Sequence, residues 1–542
     1  MTLRTALMPA ALAALAAATT LSLAAAAQAA EPQIVERSAA ELSADLAAGR
    51  TNSEALVRAY LRRIREVDQS GPALHSVISL NPHAVADARL LDAERKAGRV
   101  RSPLHGVPIL IKDNIESADG TATTAGSLAL ANNITNRDAP VVRRLTDAGA
   151  VILGKTNLSE WANIRSSRSI SGWSAVGGLV KNPNVLDRNA CGSSSGTGAA
   201  IAASLAAVGV GTETDGSVTC PSAVNGLAGI KPTLGLVSRT HIVPISHSQD
   251  TAGPMGRSVS DIAMLLTAMA GSDPQDPATA TADSHRRDYF TALRGASLKG
   301  KRIGVLRYAS DVQPPELAVF ERALATLRQA GATVIEIKAW KPPASLGDDE
   351  FKVLLSELKT DLNAYLASTD PRQVKTRTLA DVIAFNAATP RETALFGQET
   401  FEAAQKTKGP ADPVYLKARA DSLRMAGAEG IDKLIATYKL DALTAPTTVP
   451  AWLTDSVDGD HVDGEGATSL AAIAGYPHVT LPMGYVRGLP VAISFIGKAW
   501  DDAKMLQIAY AYEQASGARQ APAYLPSLET SAEVSPLFAP VN

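Results

Sequence analysis

Cysteine is scarce in this 542-residue chain, which contains only Cys191 and Cys220. Two cysteines, and eight histidines without a ligand spacing such as H-E-x-x-H, predict neither a metal site nor a metal cofactor. Basic residues are not in excess, because the chain has 52 Lys and Arg and 54 Asp and Glu. It also has no long basic run, so nothing in its charge indicates a nucleic-acid partner. We therefore expect a small, near-neutral substrate. Spacing leaves open whether the two cysteines form a disulfide or remain free thiols.

Long apolar runs are absent after the first residues of the chain. There, Arg4, an Ala/Leu-rich stretch and Ala27-Gln28-Ala29 follow the pattern of a secretory signal peptide, which predicts cleavage after residues 1–29. An uncleaved membrane anchor is the alternative, which Pro9 and the excess of alanine over leucine weaken. Because no later segment approaches 18 apolar residues, we expect an exported, periplasmic or secreted monomer without membrane contact after cleavage.

Short apolar runs alternate with helical patterns over most of the remaining chain. This alternation predicts an α/β protein with one large mixed sheet. Residues about 340–440 are polar, rich in helical patterns and poor in strand patterns, so we interpret them as an insertion within a single domain that spans 30–542. Strands are predicted at 107–112, 150–153, 301–307, 332–337, 478–486 and 489–497, and helices at 139–149, 199–207 and 318–331.

The segment 149–156, GAVILGKT, matches the phosphate-loop pattern G-x-x-x-x-G-K-[ST]. A phosphate loop follows a strand and wraps its backbone N–H groups around the anion, whereas here a helical pattern precedes the motif. The apolar run Ala-Val-Ile-Leu inside the motif favours a strand instead. We therefore expect no nucleotide cofactor.

Three serines lie between glycines in CGSSSGTGAA (191–200). The composition is that of a flexible linker, but Ser194 also stands at the centre of G-x-S-x-G, the nucleophile elbow of α/β-hydrolases. An elbow follows a strand and needs an acid and a histidine further along the chain. The preceding segment 181–192 is instead typical of a loop, which weakens the interpretation of Ser194 as an elbow nucleophile. His461 or His478 could supply the required histidine, so this interpretation stays open.

A second serine, Ser217, ends the glycine turn of GTETDGS (211–217). Successive backbone N–H groups in such a turn can converge on one point, as an oxyanion hole requires. A serine hydroxyl is a poor nucleophile unless a base removes its proton. The turn therefore indicates a catalytic serine that needs a partner elsewhere in the chain.

Four motifs in this order resemble the amidase signature family, and the likeness covers most of the mature chain. It implies the fold of that family, a single α/β domain with a central mixed β-sheet covered by helices on both faces. The motifs are HGVPILIKDN (105–114), GSSSG (192–196), GTETDGS (211–217) and CPSAVNGLAGIKPT (220–233), with GKTNLSEWAN (154–163) and SQDTAGPMGRSVSD (248–261) as further landmarks.

The resemblance implies a Ser-Ser-Lys triad that uses no histidine. Ser217 would be the nucleophile that forms an acyl-enzyme, Ser193 the bridging serine at a non-proline cis peptide, and Lys112 the base. Burial among apolar residues would lower the pKa of Lys112 enough for it to accept a proton near neutral pH. The oxyanion hole would consist of the backbone N–H groups of Thr214, Asp215, Gly216 and Ser217.

We expect Glu213 and the Asp215 side chain to make supporting hydrogen bonds, and Asn225 and Asp250 to brace the loops. Within the family, SEWANIRSS, SISGWSAVGG and SQDTAGPM are similar to bacterial peptide amidases. This implies ammonia release from C-terminal peptide amides, with the 340–440 insertion as substrate wall. An aryl or fatty acid amidase is the alternative, and an amidotransferase subunit or an exported non-catalytic binding protein on the same fold stays open.

Overall fold

An eleven-stranded mixed β-sheet is the framework of the computed structural model, which describes residues 32–462, 464, 466–538 and 540. A separate two-stranded sheet is formed by β4 and β5. In chain order the strands are β1 (Val77–Leu80), β2 (Pro108–Lys112), β3 (Val151–Thr156), β4 (Trp173–Ser174), β5 (Gly178–Leu179), β6 (Val208–Glu213), β7 (Ala228–Lys231), β8 (Thr251–Gly256), β9 (Arg302–Leu306), β10 (Thr333–Ile337), β11 (Ala442–Pro446), β12 (His478–Val486) and β13 (Leu489–Ile496).

The strand order in the large sheet is β1-β3-β2-β6-β8-β7-β12-β13-β11-β9-β10. Strand β2 runs parallel to both β3 and β6, and β9 runs parallel to both β10 and β11. The remaining pairs are antiparallel. All residues of β2, β6, β8 and β13 are buried, and since side chains alternate across a strand, both faces of the sheet are covered. The predicted fold class, α/β with a central mixed sheet, is confirmed.

Helices surround this sheet and several begin at sequence signals. Ser38 and Glu41 form a reciprocal cap at α1, and Pro140 occupies the first turn of α4. The helices are α1 (Ala39–Ala47), α2 (Ser53–Arg63), α3 (Ala84–Lys96), α4 (Pro140–Asp147), α5 (Ser195–Ala202), α6 (Thr219–Val224), α7 (Val259–Met269), α8 (Ala282–His285), α9 (Tyr289–Ala292), α10 (Pro314–Gln329), α11 (Leu346–Ser368), α12 (Leu379–Ala388), α13 (Glu399–Gln405), α14 (Pro413–Ala426), α15 (Asp432–Tyr438), α16 (Thr468–Ala474), α17 (Asp502–Ser516) and α18 (Ser535–Phe538).

The helix predicted over 199–207 is placed wrongly. Helix α5 begins at Ser195, inside the serine cluster, and ends at Ala202. Ser204 then has a φ of 57°, a left-handed conformation that a continuing helix does not allow. This turn lets the chain enter β6 at Val208, directly beside β2.

Residues 346–438 contain helices α11 to α15 and, among the described residues, no strand. Residues from Ile34 onward form one compact unit. The predicted signal peptide, residues 1–29, lies outside the described residues. No helix within the described ranges has the length and apolarity needed to span a membrane.

Candidate active site

Lys112 is the last residue of β2 and its side chain is completely buried. Its Nζ donates hydrogen bonds to Ser193 Oγ at 2.7 Å and to Thr212 Oγ1 at 2.9 Å. Strands β2 and β6 are parallel neighbours, which brings Lys112 and Thr212 to the same end of the sheet. Burial lowers the pKa of Lys112 to about 7, although the nearby Asp250 and Glu213 carboxyl groups oppose this shift. A neutral amine is therefore available at neutral pH.

The serine cluster forms the loop that leads into α5. The peptide bond between Gly192 and Ser193 is cis, as the family resemblance implies. Ser194 Oγ is buried, donates to the Thr212 carbonyl oxygen at 3.1 Å and accepts from the Thr212 N–H at 3.2 Å. Ser195 Oγ donates to the Cys191 carbonyl oxygen. Of the three hydroxyl groups, only that of Ser193 contacts Lys112.

The turn between β6 and α6 carries Ser217. Gly216 has a φ of 77°, a left-handed conformation that glycine adopts without strain. Within the described ranges, no backbone carbonyl or side chain accepts a hydrogen bond from the N–H groups of this turn. Unpaired N–H groups in a turn can bind an anion. The turn consists of Thr214, Asp215, Gly216 and Ser217.

Ser217 lies against the serine loop, because the Ser194 N–H donates to the Ser217 carbonyl oxygen at 3.2 Å. Ser217 is 8% exposed, and its hydroxyl makes no hydrogen bond to any other described residue. The structure thus joins Lys112 to Ser193 directly and places Ser217 next to their loop without a hydrogen bond between the two serine hydroxyls. Catalytic hydrogen bonds commonly tighten only when substrate binds.

Glu213 and Asp250 hold the turn from two sides. Glu213 Oε2 accepts from the N–H groups of Val218 and Thr219 at 2.8 and 2.9 Å, directly after the predicted nucleophile. Asp250 Oδ1 accepts from Thr214 Oγ1 at 2.6 Å. Burial raises the pKa of Glu213, and it raises the pKa of Asp250 to about 6. Both carboxyl groups act here as hydrogen-bond acceptors.

Asn225 braces the loop before the serine cluster. Its Nδ2 donates to the carbonyl oxygens of Ala190 at 3.0 Å and Pro221 at 2.7 Å. These bonds connect the end of α6 to the segment that leads into the cis peptide.

Cys191 and Cys220 form a disulfide with a Cα–Cα distance of 6.1 Å. Cys191 is next to the cis peptide, and Cys220 lies in α6, three residues after Ser217. The two cysteines are therefore bonded to each other and are not free thiols, which their spacing in the sequence could not decide. The bond links the loop that carries Ser193 to the helix that follows the turn.

The two alternative motifs do not form sites. His478 is buried, burial lowers its pKa to about 3, and its Nε2 bonds to Ser494 Oγ at 2.6 Å rather than to a serine of the cluster. His461 is exposed. The segment before Ser194 is a loop, and the Ser194 hydroxyl is hydrogen-bonded to the Thr212 backbone. The interpretation of Ser194 as the nucleophile of an α/β-hydrolase elbow is therefore wrong. Lys155 lies inside β3 and donates to Thr123, so the phosphate-loop pattern forms a strand as predicted.

A cavity of about 330 Å³ opens onto the turn. It is lined by Gly192, Asp215, Gly216 and the disulfide on one side and by residues of the 447–469 segment on the other. Asp460 fixes that second side by accepting from Ser171 Oγ at 2.5 Å and Trp452 Nε1 at 3.0 Å. Since Asp215 and Gly216 of the turn line this cavity, it is the candidate substrate cleft.

A second cavity, of about 380 Å³, reaches Thr212, Thr214 and Asp250. Helix α11 contributes Asp361 and Tyr365 to this second cavity, whereas the described residues of 340–440 do not line the substrate cleft. The role of the 340–440 insertion as a substrate wall therefore stays a prediction.

Comparison with known proteins places the chain in a family. Residues 55–506 match the amidase family. A probable amidase of Arabidopsis thaliana is 40% identical over 489 residues, which cover 88% of this chain and 89% of that relative. The structure of native peptide amidase from Stenotrophomonas maltophilia is 49% identical with a TM-score of 0.84, and the match covers 90% of this chain and 99% of that one. A structure of the peptide amidase PAM in complex with the competitive inhibitor chymostatin is 50% identical, with a TM-score of 0.85 and the same coverage.

These matches extend over most of the chain and over the whole sheet, so the class of protein is that of hydrolases acting on amide bonds. The chain belongs to the amidase signature family. The predicted family and the predicted amidase activity are confirmed. The roles of individual site residues stay predictions that the geometry supports.

Proposed function

We propose that this protein hydrolyses the carboxamide at the C-terminus of peptides, releasing ammonia and the free acid, with Ser217 as nucleophile. One observation carries the proposal: a buried lysine hydrogen-bonds Ser193 beside a turn of unpaired N–H groups that ends in Ser217. The two peptide amidase structures, at 49% and 50% identity, support the choice of substrate.

Acylation begins with proton transfer through Ser193. The neutral amine of Lys112 takes the Ser193 proton while Ser193 Oγ takes that of Ser217, and Ser217 Oγ bonds to the carboxamide carbon. The carbonyl oxygen becomes an oxyanion and is stabilised by the N–H groups of the turn. Each such donor contributes about 2.7–4 kcal/mol to transition-state stabilisation.

The leaving group then receives the proton that Lys112 holds. The ammonium of Lys112 returns it through Ser193 to the carboxamide nitrogen, the C–N bond breaks, and ammonia leaves. Water attacks the ester on Ser217 by the same relay, which releases the free acid and restores the hydroxyl. Each half of the reaction thus uses the same Lys112–Ser193 relay, first with the Ser217 hydroxyl and then with water as the attacking group.

Three compounds test the proposed specificity. They are an amidated dipeptide, the same dipeptide with a free C-terminal carboxyl group, and the anilide of the same dipeptide. We expect rapid ammonia release from the first, none from the second, and little aniline from the third, measured by an ammonia assay and chromatography. The Ser217→Ala variant, purified in parallel, controls for contaminating amidases. Preference for the anilide, or cleavage of the internal peptide bond, would contradict the proposal.

We also propose that the protein is exported. The predicted signal peptide supports this, and so does the Cys191–Cys220 disulfide, because disulfides persist mainly in oxidising compartments. In a Gram-negative host expressing the full chain, we expect activity in the periplasmic fraction or the medium. N-terminal sequencing of that material should begin near Ala30, whereas cytosolic protein that retains residues 1–29 would refute export.

A further inference from the structure

A pair of carboxyl groups joins α11 to the turn that carries Ser217. Glu350, in the first turns of α11, is 9% exposed, and its carboxyl group lies beside the carboxyl group of Asp215. Asp215 Oδ1 is buried, and no N–H or O–H group of the described residues donates a hydrogen bond to it. Two carboxyl groups can share a hydrogen bond only when one of them holds a proton.

A second connection runs through Gln249, which is buried. Its Nε2 donates to Glu350 Oε1 at 2.8 Å and to the Thr214 carbonyl oxygen at 3.3 Å. Glu350 is thereby linked to both of the first two residues of the turn, to Asp215 directly and to Thr214 through the amide. A single side chain of the helical insertion thus contacts the turn, two residues of which line the substrate cleft.

The charges around the pair indicate which member holds the proton. Burial and the neighbouring Asp215 charge raise the pKa of Glu350 well above its ordinary value. Burial also raises the pKa of Asp215, but hydrogen bonds from Ser469 and Thr468 and the Lys231 ammonium oppose that rise. Asp215 is therefore the ionised member and Glu350 the donor.

The other charged groups facing the pair are on the neighbouring strands. Lys231 on β7 attracts Asp215, and burial lowers the pKa of Lys231 to about 8. Glu213 on β6 is close enough to Asp215 for the two carboxyl groups to repel each other. Any alkaline transition in activity has to be separated from the titration of Lys231.

We propose that protonated Glu350 is a positioning residue for amide hydrolysis: it donates to the Asp215 carboxylate and, through Gln249, orients Thr214, and so holds the oxyanion-binding N–H groups toward the reacting carbonyl. The inference rests on the oxyanion hole of the proposed function. It gives one residue of the 340–440 insertion a role in stabilising the transition state. When Glu350 loses its proton, its carboxylate and that of Asp215 repel each other. Glu350 then no longer holds the turn that carries Ser217 in position.

Glu350→Ala tests the positioning role directly. Because the oxyanion exists only in the transition state, we expect kcat to fall by at least about tenfold while KM changes less than about twofold. Glu350→Gln, whose amide both donates to Asp215 and accepts from Gln249, should restore most of the lost kcat. Asp348→Asn, an exposed charge change on the same helix, is the matched control and should leave kcat unchanged.

The pH profile separates this role from a purely structural one and does not require the alanine variant to fold. As the pH rises, wild-type kcat should decline when Glu350 loses its proton, and Glu350→Gln should remove that decline. A decline caused by Lys231 would persist in the glutamine variant. Identical alkaline profiles, or wild-type kcat in a folded Glu350→Ala variant, would overturn the inference.

All of these rates are measured with whichever amide the wild-type enzyme hydrolyses fastest. A wild-type enzyme inactive on peptide amides would therefore refute the proposed substrate without affecting the test of Glu350. Conversely, a Glu350 series that behaves like wild type would leave the substrate assignment intact.

Discussion

Replacing Ser217 with alanine is expected to lower kcat by about 10⁴-fold or more, because no acyl-enzyme can form without its hydroxyl oxygen. The oxyanion N–H groups belong to the backbone and survive the substitution, so substrate binding should persist. Steady-state ammonia release and rapid-quench measurement of burst acylation check the result. The melting temperature should stay close to that of the wild type, since the Ser217 hydroxyl makes no hydrogen bond to any residue in the described part of the chain.

Ser194→Ala is the matched control for this prediction, because Ser194 is the rival nucleophile in the same loop. Among the described residues, its hydroxyl forms hydrogen bonds only with the Thr212 backbone. We expect this variant to lose some stability and to retain measurable turnover. Burst acylation by Ser217→Ala, or complete inactivity of a folded Ser194→Ala protein, would be incompatible with Ser217 as nucleophile.

Lys112→Met should lower kcat/KM by a similarly large factor, because methionine fills the apolar site but cannot accept a proton. In the wild type, the neutral amine is the active form. Since burial lowers the pKa of Lys112 to about 7, kcat/KM should rise about tenfold per pH unit below that value and level off above it, up to the pH at which Glu350 loses its proton. Initial rates from pH 5 to 9 at low substrate concentration measure this profile.

Lys112→Arg provides the control for charge and hydrogen bonding. Arginine can still donate to Ser193, but it does not lose its proton in this pH range, so we expect it to be as inactive as methionine. Activity that increases as the pH falls below 7, that survives Lys112→Met, or that disappears on metal chelation would contradict the role of Lys112 as base.

Local patterns predict the sheet well where strands are continuous apolar runs. The runs at 107–112 and 332–337 correspond to β2 and β10 within a residue or two. Strands β7 and β8 are not predicted from periodicity, since their sequences AGIK and TAGPMG contain glycine and proline and are held by neighbouring strands. Burial between sheet neighbours, which only the complete fold supplies, decides their conformation.

Site residues that stand in short sequence motifs could be predicted, whereas those brought together only by the fold could not. Ser193, Ser217 and Lys112 stand in short motifs, so their resemblance to a family identifies them before the fold is known. Glu350 lies in no motif, and its partner Asp215 is far away in the chain. A buried glutamate inside a polar helical segment carries no local signal, and only packing of α11 against the turn brings the pair together.

Acid-quench peptide mapping during turnover tests the central claim most directly. Wild-type enzyme is mixed with an excess of an amidated dipeptide, quenched within milliseconds at low pH, digested, and analysed by mass spectrometry. We expect the dipeptidyl acyl group on the peptide that contains Ser217, formed at the rate of ammonia release. An adduct on Ser194 or another residue, or ammonia release without any adduct, would contradict hydrolysis through an acyl-Ser217 intermediate.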